Sequence, residues 1–201
     1  MMRIDAAERR ARLSVRHHLA PGSLATDAVT SARDLVGLHA TDPATVYLSA
    51  LARTPTVEVA TIERALYDER SLLKILGMRR TMFVVPLDVA AVIQSACTRA
   101  IAVRERRRVI TWLGGAGIPE PARWLEDAEQ ATLDALETRG EAVATELTKD
   151  VPALALQIEV GVGKKWQGTV GMSTRVLFLL SMEGRIVRGR PRGSWISSQY
   201  R

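Results

Sequence analysis

The segment Gly37–Arg53 holds the polar side chains of this sequence whose types and spacing could do chemistry. His39, Thr41 and Asp42 stand within four positions, where an apolar run ends. An imidazole at the C-terminal end of a helix can cap that helix, form a hydrogen bond at the edge of a core, or act as a general base. Asp42 followed by Pro43 is typical of a helix start, which explains this aspartate without a chemical role, and Thr41 could also serve as a cap.

Other catalytic chemistries find few residues to support them. Cys97 is the only cysteine, which excludes an internal disulfide and a cysteine-clustered zinc or iron–sulfur site. The neighbours His17 and His18 point to different sides of a helix, so we expect neither a metal site nor a cofactor. No apolar run approaches the roughly 18 residues of a spanning helix, and the charged N-terminus lacks the apolar core of a signal peptide. The sequence therefore predicts a cytoplasmic protein without a membrane segment.

Positive charge is concentrated near the C-terminus. Residues 160–201 contain eight Lys and Arg against one Glu, a net of +7, whereas the whole chain has a net charge of +6. Such a segment could be a solvated face, a membrane-surface patch or a nucleic-acid interface, and the near absence of acidic residues favours nucleic acid. The candidate DNA contacts there are Lys164, Lys165, Trp166, Arg185, Arg188, Arg190 and Arg192.

The first half of the chain has the periodicity of helices followed by a hairpin. Helices are predicted over residues 4–19, from an N-cap at Thr26 to His39, from Asp42 to about 53, and after a cap at Thr56. The apolar runs LLKILGM and TMFVVP then predict two strands, with Arg79 and Arg80 at the tip as further candidate DNA contacts. This order is that of a winged helix.

A similar order recurs in the second half. A long helix from Leu87 to Leu113 carries the cluster RERRR, whose members spread around the helix, and GGAG at 114–117 ends it. Further helices are predicted from Pro119 and Pro121 to Gly140, over GEAVATELTKDVP and from Gly171 or Ser173. A short strand is predicted in ALALQIEV, and RIVRGR and SWISSQY are predicted to form a second wing. We expect a mainly α fold with small β-hairpins, arranged as tandem winged-helix units at residues 1–115 and 116–201.

Three stretches resemble one family. LVGLHATDPATVYLSALAR, MRRTMFVVP and GKKWQGTVGMSTRVLFLLSMEGRIVRGRPRGSW are similar to the winged-helix DNA-binding family that includes the AlkZ-like and YcaQ-like bacterial DNA glycosylases. The resemblance implies tandem winged helices that form a concave DNA-binding surface. It also implies excision of alkylated bases or crosslinks, in which water displaces the damaged base from the deoxyribose.

The family's catalytic signature is glutamine, an apolar residue and glutamine, with variants that carry histidine first or aspartate last. His39, Ala40 and Thr41 fall on this signature, and Thr41 departs from it because a hydroxyl is shorter than an amide and lacks the charge of aspartate. An alkylated purine is already cationic and leaves readily, so the protein need mainly position water and stabilise the sugar cation. The resemblance therefore implies that His39 holds or deprotonates the water.

Three functions remain open at this stage. We expect a binder of double-stranded DNA, with or without alkylation damage, ahead of an active glycosylase that uses His39 and Thr41. A transcriptional regulator would instead use the helix around residues 173–180 for sequence readout, although STRVLFLL offers few polar side chains to base edges. Members of the family continue into a further winged helix and a C-terminal β-barrel, so the resemblance also predicts a fragment or truncated form.

Overall fold

The computed structural model describes residues 4–200, which pack as two compact units. Of these residues, the first unit consists of 4–93 together with Gly193–Ser198, and the second of Gln94–Arg192 together with Gln199 and Tyr200. Both are mainly helical with small antiparallel sheets, which confirms the predicted mainly α fold with small β-hairpins, whereas the winged-helix arrangement stays a prediction. The expected boundary between residues 115 and 116 stays a prediction. Within residues 4–200 no helix is long and apolar enough to cross a membrane.

The first unit contains five helices and three strands in its described part. The helices are α1 (Ala6–Arg16), α2 (Ala28–Asp34), α3 (Pro43–Leu51), α4 (Val59–Glu63), which a π-helical turn at Arg64–Asp68 extends, and α5 (Leu87–Ile93). The strands are β1 (Leu38–His39), β2 (Leu72–Leu76) and β3 (Met82–Pro86), and they form an antiparallel sheet in the order β1-β3-β2. The predicted hairpin with Arg79 and Arg80 at its tip is therefore confirmed.

Capping side chains explain where the helices begin, and they correct two expectations. Asp42 accepts the Ala44 N–H, and Pro43 occupies the first turn of α3, as predicted. The second helix is capped by Asp27 rather than Thr26, because the Asp27 carboxylate accepts the Thr30 N–H at 2.7 Å. The fourth helix begins at Val59, after Glu58, so the cap predicted at Thr56 is wrong.

The predicted second helix ends five residues earlier than expected, which changes the setting of His39. Helix α2 stops at Asp34 because Val36 and Gly37 both have positive φ, 61° and 137°. A Cβ on Gly37 would lie 2.9 Å from Val85 Cγ1, so only glycine lets the chain pass this close to β3. The chain then enters β1, and the expectation that His39 terminates a helix is wrong.

The second unit contains four helices and one strand pair in its described part. A π-helical turn at Gln94–Thr98 leads into α6 (Arg99–Gly115), followed by α7 (Pro121–Arg139), α8 (Ala144–Asp150) and a 3-10 turn at Pro152–Ala155. Strands β4 (Gln157–Val160) and β5 (Gly168–Gly171) pair before α9 (Met172–Met182). Aliphatic side chains from all four helices and β4 build its core, including Leu113, Leu125, Leu147, Ile158 and Leu179.

The β-hairpin of this unit is not where the sequence predicted one. Residues 161–167, which contain KKW, connect β4 to β5 and are therefore the tip of a hairpin. Residues 185–200, expected to form a second wing, contain no strand ladder. The backbone contacts between its two arms include an isolated bridge between Pro191 and Tyr200 and a hydrogen bond from the Arg192 N–H to the Gln199 carbonyl. The physical reason is that Gly193–Ser198 packs in the first unit, where Trp195 contacts Tyr47.

One arginine of the RERRR cluster lies inside the second unit. Arg106 on α6 donates to both carboxylate oxygens of Glu129 on α7, at 2.8 and 2.9 Å, and to Glu183 after α9, at 2.7 Å. Glu129 is only 2% exposed. Burial raises the pKa of the Glu129 carboxyl above its ordinary value, although the Arg106 guanidinium opposes that rise. This ion cluster connects three elements of the unit.

Candidate functional site

His39 and Thr41 lie on the solvent side of β1 and of the residues that follow it. Leu38 and Ala40 are buried, whereas His39 and Thr41 are exposed, as the alternation of a strand requires. The His39 ring meets the Phe83 ring edge to face, with centroids 6.0 Å apart. In the described part of the chain no side chain or carbonyl forms a hydrogen bond with the imidazole. Its nitrogens can therefore meet water or a ligand.

The register of the sheet brings these two residues toward the tip of the β2–β3 hairpin. His39 pairs with Phe83, and the Ala40 N–H continues the ladder to the Met82 carbonyl at 2.8 Å. Thr41 directly follows Ala40, and only Thr81 separates Met82 from Arg80. One edge of the first unit thus gathers His39, Thr41 and the arginine-bearing tip.

The turn at that tip holds its arginines in an unusual backbone conformation. Arg79 and Arg80 are exposed and have φ of 56° and 62°, in the left-handed region that glycine or asparagine normally occupies. Such a conformation carries strain of about 1–3 kcal/mol per residue at most, and strain of this kind is concentrated at functional sites. The sequence alone predicted exposed charges here; the strained turn comes from the structure.

The tip of the β4–β5 hairpin, residues 161–167, is basic and exposed. Lys164, Lys165 and Trp166 all face solvent. The loop has internal bonds from the Lys164 N–H to the Gly161 carbonyl at 2.9 Å and from the Gln167 N–H to the Lys164 carbonyl at 3.0 Å. Along the flanking strands, the acidic Glu159 accepts a hydrogen bond from Thr169. Three of the candidate DNA contacts are therefore adjacent in space as well as in sequence.

The arginines of the C-terminal segment are not equivalent. Arg185 is exposed. The Arg188 guanidinium lies 5.0 Å from the Tyr200 ring centroid, and Arg192 forms an ion pair with Glu146. The pKa of Glu146 lies below its ordinary value because its carboxylate accepts the Val143 N–H and a bond from Arg192. Arg188 and Arg190 belong to RIVRGR, which was predicted to form part of the second wing, but no strand forms there.

Sequence reasoning missed a cation-lined cavity in the second unit. An open cavity of about 410 Å³ follows α6, with Arg99 and Arg107 on its wall beside Arg106 and Glu183. Residues 99, 103 and 107 follow one another at intervals of four and therefore lie on one face of α6. This spacing was visible in the sequence. It also missed β5, in which two of four residues are glycine; Val170 opposite Ile158 is the remaining indication of a strand.

The helix considered for sequence readout buries most of its surface. In α9, Met172, Val176, Leu179, Leu180 and Met182 are all fully buried in the core. Of the segment STRVLFLL, Thr174 is the exposed residue. This helix therefore offers little to the base edges that a regulator of transcription would recognise.

Comparison with known proteins gives one match. A family model described as DNA glycosylase AlkZ-like matches residues 32–201, which include β1, both hairpins and the C-terminal basic segment. A search of curated proteins found no match, and a search of solved structures found none. Because the family model covers most of the chain, and the exposed basic tips lie inside the match, this chain belongs to the AlkZ-like DNA glycosylase family, which implies DNA as its partner.

Proposed function

We propose that this chain binds double-stranded DNA through the tips of its two β-hairpins. The observation that carries the proposal is that each unit presents one exposed hairpin tip with two basic residues, Arg79 and Arg80 in the first and Lys164 and Lys165 in the second. Cationic side chains on a protruding loop can approach the phosphate backbone without displacing the packed core behind them. Phosphate contacts supply affinity and position the protein on the duplex.

The element order supports a winged-helix interpretation of each unit. In the first unit, a helix, a short strand, two helices and two strands follow one another, with the short strand paired at the edge of the hairpin. In the second unit, α7, α8 and a 3-10 turn precede the β4–β5 hairpin. A helix-turn-helix followed by a hairpin is a DNA-binding arrangement in which the hairpin lies against the backbone beside the groove. The family's own substrate class agrees with this interpretation.

The salt dependence of binding tests the proposal. Each phosphate contact releases counterions, so the slope of log affinity against log salt should fall by about 0.9 per lost contact. We expect the double variant Lys164→Ala/Lys165→Ala to lose affinity and to have a shallower slope. Arg123→Ala, which removes an exposed charge on α7, is the matched control and should leave the slope unchanged. An affinity of the unaltered chain that does not depend on salt would refute the proposal.

A second candidate function is base excision at the first unit, favoured by the exposed imidazole of His39. In this reaction His39 accepts a proton from water, the water oxygen bonds to C1′ of the deoxyribose, and the bond from C1′ to the base nitrogen breaks. An N7-alkylated purine leaves with the electron pair of that bond, which neutralises its positive charge. The Thr41 hydroxyl, on the same side of the chain as His39, hydrogen-bonds the same water.

Abasic-site formation tests excision separately from binding. The chain is incubated with duplex DNA that contains N7-methylguanine, and strand breaks after alkali report abasic sites. We expect release of the damaged base above the spontaneous rate, and loss of that excess in His39→Ala with DNA affinity preserved. Excess release that persists in His39→Ala would eliminate the role of this histidine, and no release above background would leave a DNA binder.

A further inference from the structure

We infer that Trp166 stacks on a nucleobase, and that the second unit therefore prefers DNA with an opened base step over an intact duplex. The inference rests on the proposed DNA binding and adds a contact with the base to the contacts with phosphate. It assigns two different roles to Lys164, Lys165 and Trp166 at the β4–β5 tip. The lysines hold the backbone, and the tryptophan selects the state of the DNA.

Trp166 is exposed although three other tryptophans of the chain are not. Trp166 is 58% exposed, and Val162 on the same tip is 72% exposed. Trp112 and Trp124 pack against the core of the second unit, and Trp195 packs against Tyr47 in the first. A large aromatic surface left in water costs free energy that a partner can recover by covering it. The tip therefore offers an apolar contact where a merely solvated loop would present polar side chains.

The ring is held in place rather than free to rotate. A Cβ on Gly161 would lie 2.4 Å from two carbons of the six-membered ring of Trp166, so the glycine backbone is in direct contact with the indole. Gly161 also has φ of 67°, and the Gly163 N–H donates to the Gln167 side-chain carbonyl at 3.0 Å, which closes the loop. A ring already fixed in one orientation loses little entropy when it stacks on a base.

The charges around the ring match the two parts of a nucleotide. The Lys164 ammonium lies over the Trp166 ring, 5.3 Å from its centroid, and Lys165 is exposed next to it in the chain. A nucleotide presents a flat base and a phosphate a few bonds apart, so an aromatic face flanked by cations can bind both at once. An acidic peptide would satisfy the lysines but would leave the indole uncovered.

The state of the DNA decides whether this contact can form. In an intact duplex both faces of each base are covered by neighbouring pairs, and unstacking a step costs a few kcal/mol. At a gap or in a single strand, a base face is already available. Stacking on an aromatic side chain does not depend on base identity because every base has a π face. The tip should therefore select opened DNA without selecting sequence.

The test compares the full chain with point variants on three DNAs of one sequence. Fluorescence anisotropy gives the affinity for intact duplex, for duplex with a single-nucleotide gap and for single strand, over a range of salt concentrations. We expect the unaltered chain to favour the gapped duplex and the single strand. Trp166→Ala should weaken these two by about tenfold, leave the intact duplex nearly unchanged and keep the salt slope. Trp166→Phe should restore most of the loss.

A second measurement reports stacking directly. The fluorescence of 2-aminopurine placed beside the gap should be quenched by the unaltered chain and by Trp166→Phe, but not by Trp166→Ala. The circular dichroism spectrum of each variant verifies that it is folded. A preference for gapped DNA that survives in Trp166→Ala overturns the inference while leaving the proposed DNA binding intact. An equal loss on all three DNAs overturns it as well, and absence of binding to any of them overturns both proposals.

Discussion

Removing Arg106 should destabilise the second unit far more than removing any exposed arginine on the same helix. The guanidinium of Arg106 holds two carboxylates together through four nitrogen–oxygen contacts of 2.7–2.9 Å, two to Glu129 and two to Glu183. Glu129 is 2% exposed, and the side chain of Arg106 is 25% exposed. Arg106→Ala leaves the Glu129 carboxylate buried without a cation.

The size of the effect follows from that burial. Losing one partner of a buried ion pair costs about 3–5 kcal/mol, because the remaining charge is neither solvated nor paired. The cost also depends on pH. Without Arg106 the folded-state pKa of Glu129, already above its ordinary value through burial, rises further. A folded-state pKa above the unfolded one stabilises the fold at low pH, so the deficit of the variant should shrink as the pH falls below that pKa.

Urea unfolding of three variants at two pH values measures these effects. Arg107→Ala is the matched control, because Arg107 is exposed on the same helix and its loss should change stability by about 0.5 kcal/mol or less. Arg106→Met/Glu129→Leu replaces the pair with apolar side chains and should recover most of the loss. A free energy of unfolding for Arg106→Ala within 1 kcal/mol of that for Arg107→Ala, on the order of the control effect, would refute the reasoning. So would a deficit of equal size in acid and at neutral pH.

Two further predictions concern the two ends of the segment that leads into β1, namely the N-cap of α2 and Gly37. Gly37→Ala should lower the free energy of unfolding by about 1–3 kcal/mol, since its φ of 137° suits glycine and the added methyl would approach Val85 Cγ1 to 2.9 Å; a thermal or urea transition unchanged from the parent would contradict this. Asp27→Ala should cost about 1 kcal/mol by uncapping α2, whereas Thr26→Ala should cost much less. Because hydrogen bonds from Thr30 lower the pKa of Asp27 despite its partial burial, the stabilisation by Asp27 should be lost as the pH falls through that lowered value. If Asp27→Ala and Thr26→Ala lower the free energy of unfolding equally at neutral pH, Asp27 is not the main capping residue of α2.

Local sequence rules were sufficient for most element boundaries. Pro121 and Gly140 bound α7 as predicted, and Asp42 with Pro43 begins α3. The β2–β3 hairpin was also visible, because its two apolar strands are near neighbours in the chain. Each of these features depends on residues within a few positions of one another, so capping, backbone restriction and periodicity decide them.

The interpretation of His39 shows where local rules end. The sequence by itself identified His39 and Thr41 as candidate catalytic residues and determined the family. It did not indicate that His39 lies on a strand. Strand β1 is two residues long, and its partner β3 begins more than forty positions later. So short a strand has no periodicity of its own, and only the pairing with Phe83 and Val84 identifies it.

The sequence by itself thus determined the composition of each basic tip, the helices and the family of this chain, because these depend on residue type and local spacing. Only the tertiary structure decided which segment is the second hairpin. The segment rich in arginine after α9 had the alternation of a wing, but its backbone lacks a partner strand, since Gly193–Ser198 packs in the first unit. The glycine-rich stretch around Trp166 had no such alternation and became the hairpin, because Gln157–Val160 and Gly168–Gly171 satisfy each other's hydrogen bonds. Backbone groups pair where tertiary packing brings partners together, and residue type alone does not report that.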